Sequence, residues 1–174
     1  MKVYFITHST STDNEAGFAS GWKDVSLSET GTLQAREVGD RFKNISIGLI
    51  CCSDLKRAIE TVKIAFENRI AVIVDKRLRE INYGDLNGKS NNIANVTNLK
   101  WIKEPFPNGE SYIQAVVRIH EFFLELKPSR EKETVLAVGH RATKFGLDIL
   151  AGNKTFKECL SMLHEWQPYW EYDL

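Results

Sequence analysis

Cysteine is scarce in this chain and is nowhere spaced for metal or disulfide chemistry. Cys51, Cys52 and Cys159 are its three cysteines; two are adjacent and none belongs to a CxxC pair. An odd count without a framework argues against a disulfide scaffold and for a reducing compartment. An excess of one charge is also missing, with 23 Lys and Arg against 23 Asp and Glu. No general field draws the chain to nucleic acid or to an anionic membrane, so neither is an expected partner, although a local basic pocket stays open. No apolar run reaches the length of a membrane span. The opening MKVYFITHS lacks the length of a signal-peptide core and ends in polar residues. The expected location is therefore the cytoplasm. Internal repeats and low-complexity segments are absent. What is present is an ordinary globular composition, 43% hydrophobic and 26% charged over 174 residues. That predicts one domain, residues 1–174, with enough chain to bury a core.

Apolar runs and helical periodicity alternate along the chain. Val3–Ile6, Ile47–Cys51, Ile70–Val74 and Thr134–Val138 read as strands. Helices are predicted from Ser28 to Lys43, after a cap at Ser53 or Asp54 to about Asn68, and from Glu110 to Leu126 with a stop at Pro128. Another runs from the Gly139-His140 turn to about Leu150, ended by Gly152. The aromatic tail EWQPYWEYDL reads as a last strand or hook. The polar stretch 85–108 reads as a loop or loosely helical insertion and a lid over a site. Alternating strands and helices indicate an α/β fold with a mainly parallel sheet.

In such sheets ligands bind beyond the carboxyl ends of the strands. Those ends carry Thr7-His8-Ser9, then Ser53-Asp54 with Arg57, then Arg79-Glu80, then Gly139-His140-Arg141. Each residue alone has an ordinary reading. A histidine is often a satisfied structural residue, Arg57 is open to being solvated surface, and Glu80 to pairing with Lys76 or Arg79. Together they converge two imidazoles, guanidinium charge and a carboxylate on one edge. Arg57 and Arg141 fall at helix starts, where the helix dipole disfavours a cation by roughly 0.3–1 kcal/mol. An anion lying between resolves that conflict, and phosphate suits the guanidinium fork.

These residues also fall in an ordered set of motifs that resembles the histidine phosphatase superfamily, the phosphoglycerate mutase-like proteins. His8 is followed by Asn14, and then by Ser20-Gly21-Trp22, Asp24, Leu27-Ser28 and Gly31. Ser53-Asp54-Leu55, Arg57-Ala58 and Thr61 come next. Leu78, Glu80, Tyr83-Gly84 and Gly88 follow, then Pro107, Gly109-Glu110-Ser111 and the second histidine, His140. The resemblance runs from residue 1 to about 151. It implies a three-layer α/β/α fold around a mainly parallel central sheet. It also implies a phosphatase that acts on a small-molecule phosphomonoester through a phosphohistidine on His8, with Glu80 as proton donor. Arg57, His140 and Asn14 would hold the phosphoryl oxygens, and Ser20, Gly21 and Tyr83 would lie toward the substrate. No cofactor and no metal is expected, because the cations are side chains.

The pattern departs from the family at the first motif, where Thr7 and Ser9 stand in place of an arginine and a glycine. Arg141 takes a position that is usually small. Arg141 is expected to reach the space left at residue 7 and restore its charge, with Thr7 and Ser9 as further phosphate contacts. Lys144 is open to sharing that face or to being a surface lysine. Tyr83 is open to core packing. Trp166, Tyr169, Trp170 and Tyr172 are open to a ligand platform or to packing. Three other functions compete: a phosphoglycerate mutase-type phosphotransferase, a weakly active or inactive phospho-ligand binder, and a metal site from His8, His140, Cys51 and Cys52.

Overall fold

The computed structural model describes residues 1–67, 69–90, 98–161 and 167–174. The chain runs β1 (Lys2–Thr7), α1 (Thr12–Glu15), β2 (Phe18–Ala19), α2 (Glu29–Phe42), β3 (Leu49–Cys52), α3 (Lys56–Phe66) and β4 (Val72–Val74). It continues with β5 (Lys89–Ser90), α4 (Tyr112–Arg130), β6 (Thr134–Gly139), α5 (Arg141–Leu150), α6 (Phe156–Ser161) and β7 (Trp170–Asp173), with short 3-10 turns at Lys76–Leu78, Gly84–Leu86 and Leu99–Ile102. One five-stranded sheet has the order β4-β3-β6-β1-β7, and only β7 is antiparallel to its neighbour.

The central strands are apolar on both sides because both faces of the sheet are covered. Val3, Phe5, Cys51, Val135 and Ala137 join one buried cluster with Ala115, Ile119 and Phe123 of α4. Tyr4, Ile6, Cys52, Leu136 and Val138 join a second with Val38 and Phe42 of α2 and Val62 and Phe66 of α3. Adjacent strand residues alternate between the clusters, as the pleat requires. Cys51 and Cys52 thus occupy separate cores, both buried and both free. The result is three layers, helix on sheet on helix.

Register then fixes the site. Thr7 pairs with Gly139 at the ends of β1 and β6, and the His8 N–H donates to the Gly139 carbonyl at 2.9 Å. His8 and His140 therefore leave the sheet side by side. Cys52 pairs with Val138, and the Ser53 N–H donates to Val138 at 3.1 Å, which brings the start of α3 to the same edge.

Several boundaries differ from the sequence reading. Leu55, not Ser53 or Asp54, precedes α3, and it has no side-chain capping bond. The Ser53 hydroxyl accepts from Leu55 N–H (3.3 Å), and Asp54 is engaged by Arg79 through two bonds of 2.7 Å. Helix α4 runs through Pro128 to Arg130. The proline lies in the last turn, and the carbonyl it leaves without a helical donor belongs to exposed Leu124. Most of the NNIANVTN segment lies outside the described residues. Within the rest of 85–108, β5 pairs with β2, and Trp101 stacks on Phe106 with ring centroids 4.4 Å apart.

Candidate active site

A cavity of about 400 Å³ opens at the carboxyl ends of the central strands. Thr7, His8, Ser9, Asn14, Ser20, Gly21, Arg57, Glu80, Tyr83, His140 and Arg141 all line it. Every site residue named from the sequence is thus brought to one place.

Arg57 is the hub. It enters from the first turn of α3, is 2% exposed, and meets no carboxylate within ion-pairing distance among the described residues. Its guanidinium spends its donors on neutral acceptors: Gly21 O at 2.9 Å, Lys23 O at 3.1 Å and His8 Nε2 at 3.2 Å. Its Nη2 also lies 3.3 Å from His140 Nδ1. Burial lowers its pKa, and Glu80 and Asp24 oppose that; an arginine remains charged regardless.

These bonds assign both imidazole tautomers. His8 Nδ1 lies 2.7 Å from the Ser9 carbonyl, which only accepts, so Nδ1 carries the proton and Nε2 a lone pair. Arg57 only donates, so His140 Nδ1 accepts and Nε2 carries its proton. His140 Nε2 is buried and has no bonding partner among the described residues. The two rings stand with centroids 5.0 Å apart. Burial first, and then the charge of Arg57, push the His8 pKa down to about 3. Burial, Arg57 and His8 hold His140 well below the ordinary imidazole value. Both rings are neutral at pH 7, one presenting a lone pair and the other an N–H.

Glu80 pairs with neither Lys76 nor Arg79. Its Oε1 accepts backbone N–H bonds from Ile81 (2.9 Å) and from Ala142 in the first turn of α5 (3.1 Å). Trp22 Nε1 donates to the Glu80 carbonyl at 2.6 Å and ties the Ser20-Gly21-Trp22 turn to the acid. Gly21 has φ +52°, and a Cβ there would collide with the Asn87 amide. That amide oxygen is already held by the N–H groups of Trp22 (3.2 Å) and Tyr83 (3.1 Å). Asn14 turns its amide oxygen to Ser11, accepting from its N–H at 3.0 Å and its hydroxyl at 2.8 Å. The Ser9 N–H donates to Thr61 Oγ1 at 3.0 Å. The Ser20 hydroxyl donates to Asp13 at 3.1 Å.

Arg141 reaches the cavity, but its bonds do not run to Thr7. Nη2 donates to the hydroxyls of Tyr83 (3.3 Å) and Tyr112 (3.4 Å). Lys144 is neither at the site nor on the surface. It is buried, pairs with Asp148 at 2.6 Å and lies over Trp170. Tyr169 packs edge-on to Tyr4, Trp170 lies against Phe5, and Tyr172 is buried with its hydroxyl donated to Asp148, so these aromatics are packing; Trp166 lies outside the described residues. The far wall was missed from sequence. Gln34, Glu37 and Arg41 of α2 and Gln167 and Pro168 before β7 line it. They follow no strand, so the strand-end rule passes over them. The signal for the α2 residues is their i, i+3, i+7 spacing on one helix face; Gln167 and Pro168 carry none.

Known proteins share this fold and part of this sequence. A probable phosphatase of Schizosaccharomyces pombe is 32% identical over 127 residues, 72% of this chain and 60% of its own. A 2,3-bisphosphoglycerate-dependent phosphoglycerate mutase of Streptococcus equi subsp. zooepidemicus is 43% identical over 96 residues, 52% of this chain and 42% of the mutase. The chain thus spans 60% or less of the length of these curated relatives. Among solved structures, Bacillus stearothermophilus YhfR superposes with a TM-score of 0.84 at 26% identity, covering 98% of this chain and 89% of that one. A mycobacterial glucosyl-3-phosphoglycerate phosphatase, solved with VO3, gives 0.82 at 22% identity, covering 98% and 90%. The sequence model of the histidine phosphatase superfamily (branch 1) matches residues 3–146, a span that holds the paired imidazoles, the buried arginine between them and the acid, and the chain belongs to that superfamily.

Proposed function

We propose that the chain hydrolyses a small-molecule phosphomonoester through a phosphohistidine on His8. The observation that carries this is the Arg57 hub. A buried guanidinium, with no carboxylate partner among the described residues, sits between an imidazole whose Nε2 lone pair it engages itself and one whose N–H has no partner among them. A tetrahedral dianion answers all three groups at once.

In the first step His8 Nε2 attacks phosphorus and the P–O bond to the alcohol breaks. Glu80, as the general acid of this step, gives a proton to the departing oxygen. The Ser9 carbonyl keeps the Nδ1 proton and supports the positive charge that appears on the phosphorylated ring. Arg57 Nε turns from His8 to a phosphoryl oxygen, and His140 Nε2–H donates to another. In the second step water attacks phosphorus, Glu80 takes its proton, the N–P bond breaks, and inorganic phosphate leaves. The cations in this scheme are side chains, so no metal ion is assigned a step. Strand β5 pairs with Phe18 and Ala19, which stand on the cavity wall.

Rapid quenching during turnover of a 32P-labelled ester, followed by alkaline gel separation, tests the reading. Label that is stable to base, labile to acid and absent from His8→Ala is expected. Turnover with no such label in wild type would count against the intermediate. The relation to the mutases favours a second reading, transfer back to substrate, in which the same label forms but isomerised ester outpaces released phosphate. A protein that neither labels nor turns over is a phospho-ligand binder.

A further inference from the structure

The chemistry above leaves Arg141 unused, and its surroundings give it a different task. It stands at the first position of α5, where the helix dipole disfavours a cation. Among the described residues no carboxylate lies within ion-pairing distance of it. Its bonded partners are two phenol oxygens, and Phe145 lies under the guanidinium at 5.7 Å. Burial opposes the charge of Arg141, and the hydroxyls that accept from it and the nearby Glu80 support it. Burial also raises the Tyr83 pKa, so its hydroxyl is neutral and keeps a proton to donate. Arg141 and Tyr83 both line the cavity that holds His8, whereas Tyr112 is fully buried and braces the guanidinium from behind.

Position along the chain says which half of a substrate this pair meets. The next residue, Ala142, supplies the N–H that fixes Glu80. Glu80 is the group that protonates the alcohol oxygen, so whatever stands beside it belongs to the alcohol. The charge that acts on His8 is that of Arg57. We infer that Arg141 and the Tyr83 hydroxyl form a second anion-binding site, which takes an acidic group carried by the alcohol half of the ester. The substrate class is then a phosphomonoester bearing a carboxylate or a second phosphate. This rests on the phosphatase reading and adds the substrate's charge to it.

The test is a selectivity ratio between matched esters. O-phosphoserine and phosphoethanolamine differ by one carboxylate; ethylene glycol bisphosphate and 2-hydroxyethyl phosphate differ by one phosphate. Wild type is expected to favour the acidic member of at least one pair by about ten-fold or more in kcat/KM, as for a charge-assisted bond. The pair that shows it identifies the acid. Arg141→Met should bring that ratio close to one, Arg141→Lys should keep part of it, and Tyr83→Phe should lower it several-fold. A ratio that is the same in wild type and Arg141→Met overturns the assignment. So does an equal loss on both members, which would place Arg141 on the transferring phosphate. A shifted pH–rate profile with an unchanged ratio also overturns it, since Arg141 would then act only on Glu80. If no ester turns over, the phosphatase reading fails by itself. The same ratio, taken from calorimetric dissociation constants of the four esters, then decides the anion site alone.

Discussion

Arg57 makes four contacts with neutral groups at the price of a desolvated charge, and that sets what a substitution should do. Lysine would keep the charge but has no planar fork to reach His8, His140 and two carbonyls together. Arg57→Lys should lower kcat by about 10²–10³, comparable to losing one oxyanion donor, with a smaller change in KM. Steady-state kinetics on 4-nitrophenyl phosphate checks this. Residue 7 gives the converse experiment. The resemblance implies a second guanidinium there, and Thr7 carries none. Arg141, bonded to Tyr83 and Tyr112, does not stand in for it. Thr7→Arg should therefore raise kcat, by roughly ten-fold if the new side chain secures part of a donor's usual worth. No gain, with the fold intact by circular dichroism, would show that Arg57 and His140 already saturate the phosphoryl oxygens. Gly21 is constrained from both sides, by its positive φ and by Asn87. Gly21→Ala should destabilise by about 1–3 kcal/mol and displace the carbonyl that holds Arg57, which denaturant titration and kcat together would register.

At the scale of elements, the site depends on how α3 is fastened to the end of β1. Buried Thr61 does this beside Arg57: its hydroxyl accepts from Ser9 N–H and donates to the Arg57 carbonyl at 2.8 Å. Thr61→Val keeps the shape and removes both bonds. It should cost about 1–3 kcal/mol, because buried Ser9 N–H is left without an acceptor, and it should lower kcat more than it raises KM. This fastening also marks the limit of what sequence shows. Strands β1, β3 and β6 were legible because burial on both faces makes them continuous apolar runs, and the strand-end rule then put His8, Arg57 and His140 together. Position 80 was legible too, although no strand ends directly before it. What depends on a distant partner was not. Asp54 reads as a helix cap until Arg79 claims it. Lys144 reads as surface or site until Asp148 is seen one turn on, inside the core. Pro128 reads as a stop although the last turn of α4 tolerates it. Tyr112 falls in the first turn of the helix predicted from Glu110, and nothing local announces its bond to Arg141.

For the whole molecule, the neutral imidazoles make stability depend on pH in a definite direction. An unfolded histidine titrates near 6.5, whereas folded His8 titrates near 3 and His140 lies well below its ordinary value. Between those limits the unfolded chain binds more protons than the folded one, so stability rises with pH through this window and is fully present above about 6.5. As pH falls from 6.5 toward 3, each ring should remove up to about 1.4 kcal/mol per pH unit. Replacing His8 with Asn should make the acid side of a plot of Tm against pH shallower, and replacing both histidines should flatten it further, with little change above pH 7. Inorganic phosphate supplies an independent check, because on the proposed reading it binds the folded cavity and not the unfolded chain. At about one hundred times its Kd it should add roughly 2.7 kcal/mol, and Arg57→Met should remove most of that gain. An acid-side slope that survives loss of both histidines would mean that carboxylates, not these rings, govern acid unfolding. A phosphate effect that survives loss of Arg57 would mean that the anion binds elsewhere on the fold.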